Sequence, residues 1–267
     1  MSGAPATAPG TLYLVPAPLD FGCAAQAPLV EVLPAGTLRQ AAQLTHWVCE
    51  NAKSLRAYLK RIDAEQPLAA PLQQQHISEL PRHVHKKGDH GGSGAPAFDA
   101  RTLLAPLLAG HDMGLASEAG MPAVADPGSS VVRAAHDAGA RVVPLVGPVS
   151  LLLALAASGL NGQNFAFVGY LPQDAAARAQ RIRELEALAL QQGQSQLFIE
   201  TPYRNAALWQ ALVQQLRPGT RLAFAEGLTL ADARVYSHTV QQWRAGARHG
   251  ADAAPNNRTP VVFALGA

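Results

Sequence analysis

Apolar residues along the chain fall into short β-like runs separated by helically spaced sets. Residues 12–15 form an apolar run closed by Pro16 and predict a strand. Leu38, Ala41 and Leu44 recur at helical spacing, with Thr37 placed to cap a helix reaching about Trp47. Val48 and Cys49 predict a short buried strand. Asn51 then caps a second helix, in which Leu55, Leu59 and Ile62 share a face. Residues 64–75, rich in Gln, Pro and Ala, read as a loop. Residues 98–109 read as helix and 113–116 as strand. Asp126, Pro127 and Gly139 suit the N-cap, N1 and C′ positions of the next helix, whose buried face is Val131, Val132 and Ala135. Residues 141–145 are the following strand. This alternation predicts a mostly parallel sheet.

The pattern changes around residues 161–171. A strand at 165–168 ends at Gly169. Asp174 caps a long helix with Ile182, Leu185 and Leu188 in phase. A strand at 196–199, a helix at 204–216, and strands at 222–225, 234–238 and 259–265 follow. The fold class is therefore α/β, with one domain over 1–160 and a second over 161–267. There is no internal repeat. Residues 142–173 carry no charge, and 142–160 alone approach membrane-spanning length, but Pro144, Gly147 and Pro148 interrupt them. A strand at 142–146, a turn and a helix at 149–157 explain the stretch better, so no membrane span is expected. The opening MSGAPATAPG has neither a basic segment nor an apolar core and does not read as a signal peptide.

Composition narrows the class. Lys+Arg is 21 and Asp+Glu is 19, so the net charge is only +2, and charged residues are 15% against 48% hydrophobic. That balance excludes a disordered chain and argues against a polybasic nucleic-acid coat. Only four basic residues are lysine: Lys53, Lys60, Lys86 and Lys87. Arginine suits bidentate phosphate contacts, although a biased genome explains the excess more simply. The two cysteines, Cys23 and Cys49, lack metal or disulfide spacing, which points to a reducing cytoplasm. His83, His85 and His90 cluster in the low-complexity stretch 81–96 without accompanying carboxylates or thiols. It reads as a solvated loop, and no metal is expected.

The chemistry lies elsewhere. No GxGxxG follows the first strand, and no GxxxxGK[ST] or GxSxG is present. The densest signal is SEAGMPAVADPG at 117–128, with a strand before it and a capped helix after it. Its glycines, prolines and alanines fit a loop whose backbone approaches a ligand, and Glu118 and Asp126 are hydrogen-bond acceptors. An ordinary strand–helix loop is an equally good reading. VGPVS at 146–150 and PAPLDFG at 16–22 occupy equivalent positions after strands. Open α/β sheets bind ligands at that edge.

On GTLYLVPAP (10–18), SEAGMPAVADPG (117–128), residues 142–159, FVGYLP (167–172) and ETPYR (200–204), the chain resembles the tetrapyrrole-methylase superfamily. Within it, the sequence is most similar to the ribosomal RNA small-subunit methyltransferase I group. The resemblance implies a two-domain class III fold that binds S-adenosylmethionine in a cleft between two α/β domains and methylates a cytidine 2′-hydroxyl. It implies a donor site made by Pro16, Ser117, Gly120, Met121, Pro122, Val124, Ala125, Val149 and Ser150, with Tyr170, Thr201 and Leu228 from the second domain. Asn51, Lys53, Glu200 and Arg204 would meet the substrate. It also suggests a homodimer.

Two motifs depart from the group. Its acidic-Asp-Thr-Arg motif reads CENAK here, keeping Glu50 but substituting Asn51, Ala52 and Lys53. Its Glu-Leu-Thr-Lys stretch reads EGLTL (226–230), without the lysine. A sulfonium methyl is already activated, so transfer needs positioning and, for a hydroxyl, a general base. Glu50, Glu118, Asp126 and Glu200 are the candidates, with Glu50 first because it sits on the expected substrate side. Arg204 would hold a phosphate or a neighbouring carboxylate. RNA, above all rRNA, is the leading acceptor. A small molecule of tetrapyrrole type, or binding without turnover, is the alternative.

Overall fold

A computed structural model describes residues 8–81, 98–246 and 254–267; the His-rich stretch lies outside them. The chain divides into two compact units. The first comprises residues up to Phe21 together with Ala27–Val149, and the second comprises Gly22–Gln26 with Ser150–Ala267.

In the first unit, strands β1 (Thr11–Val15), β2 (His46–Cys49), β3 (His76–Glu79), β4 (Met113–Ala116) and β5 (Arg141–Pro144) form one sheet in the order β3-β2-β4-β1-β5. Every pairing is parallel. Strand alternation divides the core in two. Val15, Trp47, Cys49 and Ala116 pack with helices α1 (Leu29–Val32), α2 (Ala35–Gln43) and α3 (Ala52–Glu65). Leu12, Val48, Met113 and Leu115 pack with a 3-10 turn (Ala100–Leu104), α4 (Ala105–Leu108) and α5 (Ser129–Asp137). The chain leaves β1 toward one face and β4 toward the other. The β1/β4 junction is thus the switch point, where open sheets part to admit a ligand at their carboxyl edge.

Local chemistry moved several boundaries. Helix α2 starts after Pro34 and stops at Gln43, leaving Trp47 in β2; Thr37 lies inside it, and its hydroxyl donates to the Val146 carbonyl at 2.7 Å instead of capping. The helix expected over 98–109 breaks into a 3-10 turn and α4, because Pro106 lacks the N–H that a continuous helix requires. Asp126 does not cap α5; Gly128, at φ 127°, holds that position. Asn51 caps α3 as expected, its side chain accepting from the amides of Lys53 and Ser54, and Gly139 takes the left-handed position after α5 at φ 71°. The pattern gave no sign of β3, α1 or a short helix over Val240–Arg244.

Gly114 has a packing reason to be glycine. A Cβ there would lie 2.4 Å from the ring of Trp47, which is fully buried and donates Nε1–H to Gln75 at 2.9 Å. Gly114→Ala is therefore expected to lower stability by about 1–3 kcal/mol through overpacking, read as a shifted denaturant midpoint with unchanged slope.

The second unit carries β6 (Phe165–Tyr170), β7 (Ser195–Ile199), β8 (Arg221–Glu226), β9 (Arg234–Thr239) and β10 (Val261–Gly266) in the order β6-β7-β10-β8-β9. Only β6 and β7 pair in parallel; β10 is antiparallel to β7 and β8, and β9 to β8. It follows that β6, β7 and β8 all point the same way. Phe198, Phe224 and Phe263 pack on one face with side chains of α7 (Ala175–Gln192) and α8 (Asn205–Gln215), joined by Val240 of α9 (Val240–Arg244). The apolar helix α6 (Ser150–Ser158), which the sequence pattern placed in the first domain, packs instead against β8, β9 and β10. Asp174 caps α7, accepting from the Ala177 amide. Among the described residues no helix is long and apolar enough to cross a membrane.

Candidate functional site

The parallel sheet brings the loops after β1, β2, β4 and β5 to one edge, so the sequence signals at 16–22, 49–53, 117–128 and 146–150 converge. Their fixing is specific. Ala17 and Gly120 form an antiparallel bridge across the switch point, with N–H···O distances of 2.9 and 3.0 Å. The buried Tyr58 of α3 donates its hydroxyl to the Pro16 carbonyl at 2.7 Å. A Cβ on Gly147 would lie 2.3 Å from the Pro16 ring. Tyr58 was not singled out from the sequence, and Gly147 only as an interruption of the apolar stretch within VGPVS. Tyr58 does follow Leu55 by three residues, on the apolar face already legible there.

Backbone strain marks the same loops. Among the described residues, three non-glycine positions have positive φ: Ala123 at 65°, Ala125 at 64° and Thr229 at 71°. Two lie in 117–128 and the third in the loop after β8. Left-handed alanine or threonine costs about 1 kcal/mol or more and persists only where surroundings impose it, typically at functional sites. Gly120 also sits at φ 72°. Pro16, Ser117, Gly120 and Pro122 are buried, Met121 and Val149 half-buried, and Val124 and Ala125 exposed.

The strand ends also gather three carboxylates. The Glu118 amide donates to Glu50 at 3.3 Å, and the Ser54 hydroxyl donates to the Glu118 carboxylate at 2.6 Å. Burial first, and then the charge of Glu50, push the Asp126 carboxyl up to about 7; the Ser117 hydroxyl opposes this, and Glu118 adds a smaller push upward. Burial, aided by Glu79 and Glu50, likewise raises the Cys49 thiol to about 12, so it stays protonated at neutral pH. Asn51 engages its side-chain oxygen in capping α3, at 2.9 Å from the Lys53 amide. Asp and Asn are comparable caps, so this change from the rRNA-group motif leaves the helix start intact. Lys53 is exposed.

The sign of the Asp126 shift sets a pH dependence. The folded protein keeps a proton that the unfolded chain releases near 3.8. The stabilisation is complete below that value and is lost as pH rises through about 7. Wild-type stability is expected to fall by about 1–4 kcal/mol over this window. In Asp126→Asn the fall should flatten. Denaturant midpoints at pH 4.5 and 8 check this; equal slopes in both proteins would refute it.

On the second sheet, β6, β7 and β8 end at a common edge. There Tyr170 is exposed, and Glu200 is buried with its Oε1 accepting from the Thr201 amide at 2.7 Å and from Arg204 at 2.8 Å. Arg204 thus forms a salt bridge with the neighbouring Glu200 carboxylate, and that contact holds its guanidinium more firmly protonated. Its guanidinium also lies 5.2 Å from the ring centre of the exposed Tyr203. At the end of β8, Glu226 is buried, pairs with Arg234 and accepts from the Asn256 amide at 3.1 Å. Gly227 at φ 62° and the strained Thr229 flank Leu228. Ser150 begins α6. Among the described residues, no group of three or more His, Cys, Asp or Glu side chains could hold a metal.

Comparison with known proteins agrees with this layout. The family model for Tetrapyrrole (Corrin/Porphyrin) Methylases matches residues 37–243. A ribosomal RNA small subunit methyltransferase I from Mesorhizobium japonicum is 35% identical over 184 residues, covering 69% of this chain and 57% of the relative. Its counterpart from Pseudomonas aeruginosa is 30% identical over 195 residues, covering 73% and 58%. The chain therefore matches under two thirds of the length of these relatives. In fold, it is similar to a uroporphyrin-III-C-methyltransferase from Thermus thermophilus, with TM-score 0.52, 18% identity, and coverage of 96% and 94%. The methyltransferase CobJ gives TM-score 0.53 at 16% identity, covering 97% and 94%.

Proposed function

The chain belongs to the tetrapyrrole (corrin/porphyrin) methylase family, and from that premise we propose that it is an S-adenosylmethionine-dependent methyltransferase acting on ribosomal RNA, with a ribose 2′-hydroxyl as acceptor. The observation that carries this reading is the strained, glycine-bearing loop 117–128, bridged to Pro16–Ala17 at the switch point of a parallel sheet. The curated relatives named for rRNA methylation support the acceptor class.

The residues present fit the donor. Gly120 carries no side chain over a left-handed backbone, and the exposed Val124 presents an apolar surface beside it. Pro16, Ser117, Gly120, Met121, Pro122, Val124, Ala125, Val149 and Ser150 are proposed to hold it, with Tyr170, Thr201 and Leu228 as proposed contributors from the second unit. The donor supplies an activated methyl; the protein orients the nucleophile and accepts its proton. Glu50 is the proposed base. Asp126, near neutrality in its titration, is a partner able to share that proton. Asn51, Lys53, Glu200 and Arg204 are proposed for the acceptor side, Glu200 and Arg204 as one ion-paired unit. The reading places the protein in the cytoplasm as a homodimer, which light scattering of the purified chain would check.

Titration calorimetry with S-adenosylmethionine and S-adenosylhomocysteine tests the donor site. Absence of heat with either at high micromolar concentration would remove every methyltransferase reading. Mapping rRNA methylation in a deletion strain, with and without the wild-type gene, then tests the acceptor. An unchanged map eliminates rRNA and leaves a small-molecule acceptor of tetrapyrrole type, or donor binding without turnover.

A further inference from the structure

Helix α3 begins at CENAK and carries a row of cations that the fold does not use. Lys53, Arg56 and Lys60 are exposed and make no ion pair among the described residues. Their spacing of three and four residues puts them in one stripe, rising about 10 Å along the helix at 1.5 Å per residue. The opposite face of α3, with Leu55, Tyr58, Leu59 and Ile62, is buried in the core.

The stripe works against the helix that bears it. Arg56 and Lys60 are like charges four residues apart, and Lys53 and Arg56 three apart, both unfavourable pairings. Lys53 stands in the first turn, where the helix dipole disfavours a cation; that turn has no acidic residue of its own, and the Glu79 carboxylate of β3 accepts from the Ala52 amide beside it. Some other cations of the protein are neutralised. On α7, Arg181 pairs with Glu184 at 3.2 Å, and on α3 itself Arg61 pairs with Asp20 at 3.0 Å. The chain has four lysines in all, and two of them stand in this stripe.

We propose that Lys53, Arg56 and Lys60 form a phosphate-tracking surface for single-stranded RNA, leading away from the candidate site along α3. The inference rests on the RNA reading above and extends the acceptor side to Arg56 and Lys60. Three exposed cations in line on an open helix face match an acceptor carrying a row of phosphates. Contacts to phosphate act through counterion release, so they leave a signature in salt dependence that packing does not.

The test measures binding of a small-subunit rRNA transcript across salt concentrations, for wild type and for Lys53→Gln/Arg56→Gln/Lys60→Gln. Loss of three phosphate contacts on a single strand should reduce the slope of log affinity against log salt by about 2. Each single variant should reduce it by about 0.7, which keeps the test open if the triple variant folds poorly. Lys53→Arg/Lys60→Arg should keep the full slope. Arg181→Gln/Arg183→Gln, on α7, should leave it unchanged. Calorimetric affinity for the methyl donor should match wild type in all of them. If wild type binds the transcript and the single variants keep its slope, the stripe is overturned while the RNA reading stands. If wild type does not bind the transcript at low salt, both fall.

Discussion

On the proposed function, Glu50→Gln is expected to slow methyl transfer by about 10²–10⁴-fold, the range for losing a general base, with donor affinity held. Glutamine keeps an acceptor for the Glu118 amide, which lies 3.3 Å from the Glu50 carboxylate, so the loop stays in place. A second readout separates chemistry from positioning. After burial, the Glu50 charge is the main influence raising Asp126 to about 7. Removing that charge should move the Asp126 titration, and any limb of the pH–rate profile that follows it, toward acid. A variant with wild-type rate and profile would reduce Glu50 to a tether for Glu118.

Arg61→Ala is expected to destabilise the fold by about 3–5 kcal/mol, because it strands a buried carboxylate. Asp20 has a side chain only 5% exposed and receives both guanidinium nitrogens of Arg61 at 3.0 Å. The same pair closes the base of the loop after β1: Asp20 accepts from the Ala27 amide at 3.2 Å, and Arg61 donates to the Ala27 carbonyl at 2.7 Å. The loss would appear in the denaturant midpoint. Asp20→Ala/Arg61→Ala should recover part of it, since neither charge is then left alone. A double variant as unstable as the sum of the singles would deny the coupling.

Strands β1, β2, β4 and β5 were legible as short apolar runs, β1 and β5 with glycine and proline at or near their ends. Their parallel order followed from the helices between them, and the loops at their carboxyl ends followed from that order. Strand β3 escaped notice because its sequence, HISE, has one strongly apolar residue, and its place comes from pairing with β2. Asp126 misled for a related reason. Asp-Pro-Gly spells a helix start, but Gly128 can take the cap position at φ 127° and frees the carboxylate to join Glu50 and Glu118. Side-chain roles set by distant partners, such as Tyr58 on Pro16 or Thr37 on Val146, have no local signature at all. The same holds for α6, whose near-uniform apolarity says that it is packed but not against which sheet.

The place of β1 inside its sheet bears on how the protein is made. Its two partners are β4 and β5: Leu12 pairs with Met113 and with Val142. Strand β1 thus waits while roughly a hundred further residues are synthesised, some 5–20 s at about 5–20 residues per second. During that time the apolar run LYLV has no sheet to join. A nascent chain stalled before β4 should therefore remain protease-sensitive and engage holding chaperones, and protection should arrive abruptly once β5 has emerged.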